Sequence, residues 1–260
     1  MTTTSLDRFY NEDYRSIYVG EAKAPTLFFE EQMHQGQRIL GFVAPLMKSN
    51  IQPTVFDVGC GAGGTLVPFR DSGWNVFGCD IGGDYLESGR AAGLTLEQGD
   101  ATSLQPYGPT NLLILSHVLE HLPNPLSSIK QLANLLTPDG YLYIELPGIF
   151  NIHRSYKDIL LFLQNAHLYH FTLTSLCNLM QSAGFRLVKG DEYIHALFQR
   201  DTPIRTRLPN NQFIKVMTYL FAVEYLHLSL LQHSSTIGMN LLSSGERAFR
   251  RRVSSLRRSE

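Results

Sequence analysis

Val55-Phe56-Asp57-Val58-Gly59-Cys60-Gly61-Ala62-Gly63-Gly64 is an apolar strand that runs directly into a glycine-rich turn. Glycine lacks a Cβ, so such a turn can bend tightly and bring its backbone against a ligand. Asp80 closes the next apolar run, 23 residues after Asp57. A strand, a glycine turn and an acid ending the following strand mark the carboxyl edge of a parallel sheet that holds a nucleoside.

Downstream of the turn, short apolar runs alternate with helical segments, the pattern of a buried parallel sheet. Strands are predicted at Val55–Val58, Val76–Asp80, Leu94–Glu97, Asn111–Ser116 and Tyr141–Leu146, the last introduced by the turn Thr137-Pro138-Asp139-Gly140. A helix is expected over Leu122–Leu136 and another over Lys157–Asn165. Thr172 or Thr174 is placed to cap a helix reaching Ser182, stopped by Gly184. Phe185–Val188 and His195–Gln199 then form two late strands, the last antiparallel. The expected architecture is α/β, a Rossmann-like, seven-stranded, mostly parallel sheet flanked by helices.

Three regions follow. Residues 1–50 form a helical amino-terminal cover, with apolar residues at helical spacing from Leu27 to Leu46 and tyrosines at 10, 14 and 18. Those tyrosines read either as a packed face or as a flap over substrate. Residues 51–200 form the core, with an insertion at 148–172. Residues 201–260 form a helical extension, apolar over Phe213–Leu231, with a basic tail.

Of 260 residues, 43% are hydrophobic and 17% charged, enough for one sizeable core. The net charge of -1 gives no global field to recruit nucleic acid. Between Gly245 and Glu260 lie six arginines and two acids, so this end carries +4 and the remainder -5. Cys60, Cys79 and Cys177 form no CxxC pair and read as small hydrophobes in a reducing compartment. The first residues, MTTTSLDRFYNEDYRS, have no apolar signal core, and no run has membrane-spanning length without polar breaks. A cytoplasmic location is expected.

The ligand at the glycine turn has two readings. A dinucleotide needs its pyrophosphate neutralised by the amides near Gly61–Thr65. A sulfonium amino acid does not, and tolerates an acid such as Asp57 nearby. Asp80 is placed to accept both ribose hydroxyls, with Ile81 beside it. Asp100, in Gly99-Asp100-Ala101, is placed to meet the adenine amino group, and Ala101 to pack on the ring. A NAD-dependent dehydrogenase accounts for the turn but leaves Asp100 and the His117–His121 segment unexplained.

Five motifs in this order resemble the class I S-adenosylmethionine-dependent methyltransferases. They are Asp57-x-Gly59-x-Gly61-x-Gly63, Asp80, Gly99-Asp100-Ala101, Ser116-His117-Val118-Leu119-Glu120-His121-Leu122 and Thr137-Pro138-Asp139-Gly140-Tyr141-Leu142. The resemblance is close over residues 50–150 and looser over Leu168–Gly184. It implies S-adenosyl-L-methionine as cofactor, held by Asp57, Gly59, Cys60, Gly61, Gly63, Asp80, Ile81, Asp100, Ala101 and Ser116.

His117 follows strand four, near the reactive end of such a cofactor. One reading makes it a general base for an acceptor hydroxyl. The alternative sets His117, Glu120 and His121 around a divalent ion; some ubiquinone-type O-methyltransferases are similar but carry an acid where His117 stands. A structural reading makes Glu120 and His121 stabilise the loop after strand four. The base reading places no metal at the site. His167, His170 and Glu145 are further candidates for the acceptor side, and His153, Arg154 and Tyr156 for binding phosphate or sugar hydroxyls.

Asn165-Ala166-His167-Leu168-Tyr169-His170-Phe171-Thr172 and the early FYNEDYRSIYVG segment resemble methyltransferases of sugar and cell-surface glycan biosynthesis. They imply O-methylation of a small hydroxylated metabolite such as a sugar or glycan precursor. N- and C-methylation remain alternatives, as does a binding-only regulatory domain. Base-methylating enzymes of this class resemble an Asn/Asp-Pro-Pro-Tyr/Phe pattern after strand four, which Ser116-His117-Val118-Leu119 replaces, and no specific nucleic-acid partner is expected. The Phe213–Leu231 helix and the arginines 247, 250, 251, 252, 257 and 258 suggest peripheral contact with an anionic membrane, or a homodimer contact.

Overall fold

The computed structural model describes residues 26–47, 52–155, 162–163, 167–201 and 212–226. Seven strands form one sheet in the order β3-β2-β1-β4-β5-β7-β6. They are β1 (Thr54–Val58), β2 (Asn75–Asp80), β3 (Thr95–Gln98), β4 (Thr110–Ser116), β5 (Leu136–Glu145), β6 (Phe185–Gly190) and β7 (His195–Arg200). The first five pair in parallel, while β7 runs antiparallel to both β5 and β6. The chain order reverses between β1 and β4, which opens a crevice at the carboxyl ends of these two strands.

Successive side chains of a strand point to opposite faces, so each buried strand feeds two cores. Leu113, Leu115, Leu142 and Ile144 join one cluster with Ile129, Leu132, Leu176 and Met180. Leu112, Ile114 and Tyr143 join the other with Ile39, Val43, Leu66 and Leu86. Helices α1 (Thr26–Val43), α2 (Val67–Asp71) and α3 (Gly83–Ala91) thus cover one face, and α4 (Pro125–Leu132) and α6 (Leu173–Ser182) the other.

Two elements depart from the pattern read in sequence. The helix expected from Leu122 starts at Pro125, because Pro123 disfavours helical backbone at Leu122 and Pro125 suits the first helical position. Asn124 caps it, its Oδ1 accepting from the Ser127 amide at 3.2 Å. The turn expected at Thr137–Gly140 lies inside β5 as an irregularity: Thr110 pairs with Leu136, but Leu112 already pairs with Tyr141. At α6 the cap is Thr172, which exchanges side-chain bonds with Ser175 in a capping box.

The described residues fall into two compact units. One holds 26–47, 52–149 and 167–201, with the sheet and its helices. The other holds 150–155, 162–163 and 212–226; there α5 (Ile152–Ser155) meets a helix at 213–226. Nδ1 of His153 lies 2.7 Å from the Tyr219 hydroxyl, and Phe150 packs edge-on to Tyr219. Phe213, Ile214, Phe221 and Tyr225 of that helix are exposed. Among the described residues no helix is long and apolar enough to cross a membrane. The expected helix at 157–165 falls almost wholly outside the described residues, as do the tyrosines at 10, 14 and 18, position 156, residues 227–231 and the arginine-rich tail.

Candidate active site

Gly59, Gly61 and Gly63 all take positive φ, at 74°, 57° and 83°. Three left-handed residues within five positions are accessible only to glycine without strain. The Gly59 and Cys60 amides both donate to the Cys79 carbonyl, at 2.8 and 3.0 Å, which pins the turn to the end of β2. Asp80 clamps it from the side: Oδ2 accepts from the Gly61 amide and Oδ1 from the Gly82 amide, each at 2.8 Å. A carboxylate oxygen can accept more than one hydrogen bond, so this acid at the end of β2 is of the type that holds ligand hydroxyls. Asp57 is buried beneath the turn. Burial first, and the Asp80 charge second, push its pKa up to about 7.

Helix α1 supplies the other wall. Gln32 accepts from the Gly64 amide at 3.2 Å and donates to the Cys60 carbonyl at 3.0 Å. Gln35 donates to Ser116 Oγ at 2.8 Å. The helix sits against the turn backbone to backbone, since a Cβ at Gly36 would lie 2.2 Å from the Thr65 carbonyl oxygen. Further along the edge, Asp100 is exposed and caps the turn over Ala101–Tyr107, accepting from the Thr102 amide at 2.9 Å. Ile81 is an exposed apolar side chain beside Asp80.

At the end of β4, His117 has φ +55°, rare for a residue with a Cβ. Its amide donates to the Glu145 carbonyl at 2.9 Å, and half its side chain is exposed. Burial of the ring alone lowers its pKa, but the neighbouring Glu120 carboxylate outweighs this, with Glu145 adding to it, and the net shift is upward.

Glu145, a candidate base in the sequence, is buried and engaged. Arg38 Nη2 donates to its two oxygens at 2.7 and 3.0 Å, and the Tyr143 hydroxyl donates at 3.1 Å. His117 and His195 stand 3.9 and 3.7 Å from the same carboxylate. A carboxylate shared among these donors holds the end of β5 in place and has its oxygens engaged within the protein. Arg38→Ala is expected to cost about 2 kcal/mol in urea unfolding: breaking a fully buried pair costs about 3–5, and the Arg38 side chain is 44% exposed. An unchanged midpoint would show that water substitutes for the pair.

Glu120 is the centre of a second cluster. Its side chain is 2% exposed. His117 Nδ1 lies 3.5 Å and His121 Nε2 3.9 Å from Oε1. The Glu120 carbonyl accepts from the Leu168 and Tyr169 amides at 2.9 and 3.2 Å, which draws the segment before α6 over this edge. His167 thereby stacks edge-on to His121 at 5.0 Å and to His170 at 5.8 Å between ring centroids. Burial pushes the His167 pKa down to about 4 and lowers that of His170.

The fold therefore gathers His117, His167 and His170 around Glu120, and sets Glu145 on the opposite side of His117. Gln32, Gln35 and Arg38 belong to the same edge and were not read from sequence. Their spacing of three along one helix face was the available signal.

The sheet order, the glycine turn and the acid ending β2 define the class I, Rossmann-like methyltransferase fold. The methyltransferase-domain family matches residues 29–189, and the chain belongs to it. A C-methyltransferase of Streptomyces niveus is 28% identical over 141 residues, covering 52% of this chain and 33% of that protein. A ubiquinone biosynthesis O-methyltransferase of Pectobacterium carotovorum is 29% identical over 112 residues, covering 40% and 47%. The chain spans about a third to a half of the length of the curated relatives it matches. Among solved structures, magnesium protoporphyrin IX methyltransferase of Synechocystis, crystallised with S-adenosylhomocysteine, is 19% identical at a TM-score of 0.52, covering 77% of this chain and all of that one.

Proposed function

We propose that the chain transfers a methyl group from S-adenosyl-L-methionine to a hydroxyl of a small metabolite, in the class of sugars and glycan precursors. The observation that carries the cofactor reading is the pair of buried acids, Asp57 and Asp80, flanking a glycine turn. A pyrophosphate is repelled there, whereas a ligand that is cationic at its amino and sulfonium groups is attracted. The relatives support methyl transfer without fixing the acceptor atom, since their names include both C- and O-methyltransferases.

When bound, the cofactor supplies an electrophilic methyl group. Asp80 would accept the ribose hydroxyls. Ile81 and Ala101 would pack against the adenine, and Asp100 would accept from its amino group. Asp57 would face the cationic end. His117 takes the acceptor proton on its imidazole, and His167 and His170 shape the acceptor side. Glu145 positions His117 through the backbone bond between them.

Cationic ligand binding favours the ionised form of Asp57. Its pKa therefore falls from about 7 on binding, a proton is released, and affinity rises with pH through that value. Calorimetry at about pH 6.5 in two buffers of different ionisation enthalpy is expected to show this release, and Asp57→Asn to abolish it. Equal heats in both buffers would remove Asp57 from the cationic end.

Labelled methyl donor incubated with a panel of nucleotide and lipid-linked sugars tests the acceptor class. Label on oxygen of one of them supports it; label accepted only by amines or carbon acids overturns it. The exposed apolar side chains at 213–226 fit contact with an anionic membrane surface, read by flotation with anionic vesicles at low and high salt. Failure to float at low salt would discard that contact.

A further inference from the structure

Glu120 is buried, yet neither of its carboxylate oxygens accepts a hydrogen bond among the described residues, and Nδ1 of His167 is equally buried and unpaired. Buried polar atoms are almost always satisfied. His117 and His121 stand off Oε1 at 3.5 and 3.9 Å without hydrogen-bond geometry, and Oε2 and His167 Nδ1 have no hydrogen bond, so the three atoms call for a group that engages them together. A cation does so, because carboxylate oxygens and neutral imidazole nitrogens turn lone pairs toward the same ion.

We propose that Glu120, His121 and His167 bind one divalent first-row transition ion, of which zinc is the type. One ligand atom from each lies within 4.8 Å of the others. Bonds of about 2.0–2.1 Å in tetrahedral geometry set ligand atoms about 3.3 Å apart, so closure needs only a small ring rotation. The frame is built for it. Glu120 and His121 sit on one short turn, Leu119–His121, directly after β4. His167 is tethered to that turn by the Leu168 and Tyr169 amides on the Glu120 carbonyl, and by the Tyr169 hydroxyl on the Pro123 carbonyl at 3.0 Å. Two imidazoles and one carboxylate select zinc, iron or cobalt over magnesium or calcium, which prefer all-oxygen sets. Three protein ligands leave room for an oxygen ligand from water or acceptor. The third ligand comes from the inserted segment and not from position 117, so the set differs from the trio suggested by sequence spacing.

The test uses the full chain, stripped with chelator and titrated with Co2+ alone by visible absorption, then with Zn2+ against a chromophoric chelator. It needs neither methyl donor nor acceptor, so its outcome is separate from the proposed function. One equivalent per chain with ligand-field bands is expected. His167→Ala and Glu120→Gln should each weaken binding at least about tenfold, while His34→Ala, on a groove of α1, should not. Circular dichroism checks that each variant folds, and if Glu120→Gln does not, His167→Ala decides. Absence of stoichiometric binding, or unchanged affinity in His167→Ala, overturns the assignment.

Discussion

Asp80→Ala is expected to lose both the glycine turn and the cofactor. In the folded chain each oxygen of this buried carboxylate accepts one backbone amide, from Gly61 and Gly82. Alanine leaves both amides without acceptors at a site closed to most solvent. An unsatisfied buried donor costs about 1–3 kcal/mol, so a loss of about 3 kcal/mol in urea unfolding is expected. The same oxygens carry the lone pairs assigned to the ribose, and affinity for S-adenosyl-L-methionine should fall about 100-fold or more. Asp80→Asn keeps one acceptor oxygen and turns an amide donor toward another donor, so it should rank between wild type and alanine in stability. Weakened folding with unchanged cofactor affinity would reduce Asp80 to a clamp on the turn.

His117→Asn is expected to lower turnover by about 10²–10⁴, the contribution of a positioned base, with cofactor affinity unchanged. Asparagine is the informative replacement. His117 holds a left-handed backbone at φ +55°, which asparagine tolerates better than alanine, so the edge keeps its shape while the base is removed. Full turnover in this variant would withdraw the base assignment. Loss of cofactor affinity together with turnover would instead mark His117 as part of the cofactor wall.

The parallel sheet was legible because its strands are short apolar runs punctuated by Gly59–Gly64, Asp80 and Gly99. Period and punctuation are local properties, and the local pattern agreed with the fold. Thr137-Pro138-Asp139-Gly140 carries local turn chemistry, yet it lies within β5 at a register shift, because pairing with β4 decides where the strand starts. Glu145 shows a second limit. A carboxylate at a strand end reads locally as a base candidate, while its Arg38 partner lies 107 residues away and has no local signal. The polar stripe Gln32, Gln35 and Arg38 resembles a solvated helix face, and only the packing of α1 on the glycine turn makes it a wall. His167 and Glu120 likewise each had a local reading, as an acceptor-side residue and a loop stabiliser. Their meeting depends on backbone bonds from Leu168 and Tyr169 to Glu120, which no spacing in the sequence encodes.

The central claim is the cofactor, and calorimetric titration of the purified chain with S-adenosyl-L-methionine and, separately, with NAD tests it most directly. Saturable binding of the methyl donor, or of its demethylated product, with no heat from NAD and with binding lost in Asp80→Ala, is the predicted result. Binding of NAD alone, or of neither ligand, would contradict the account.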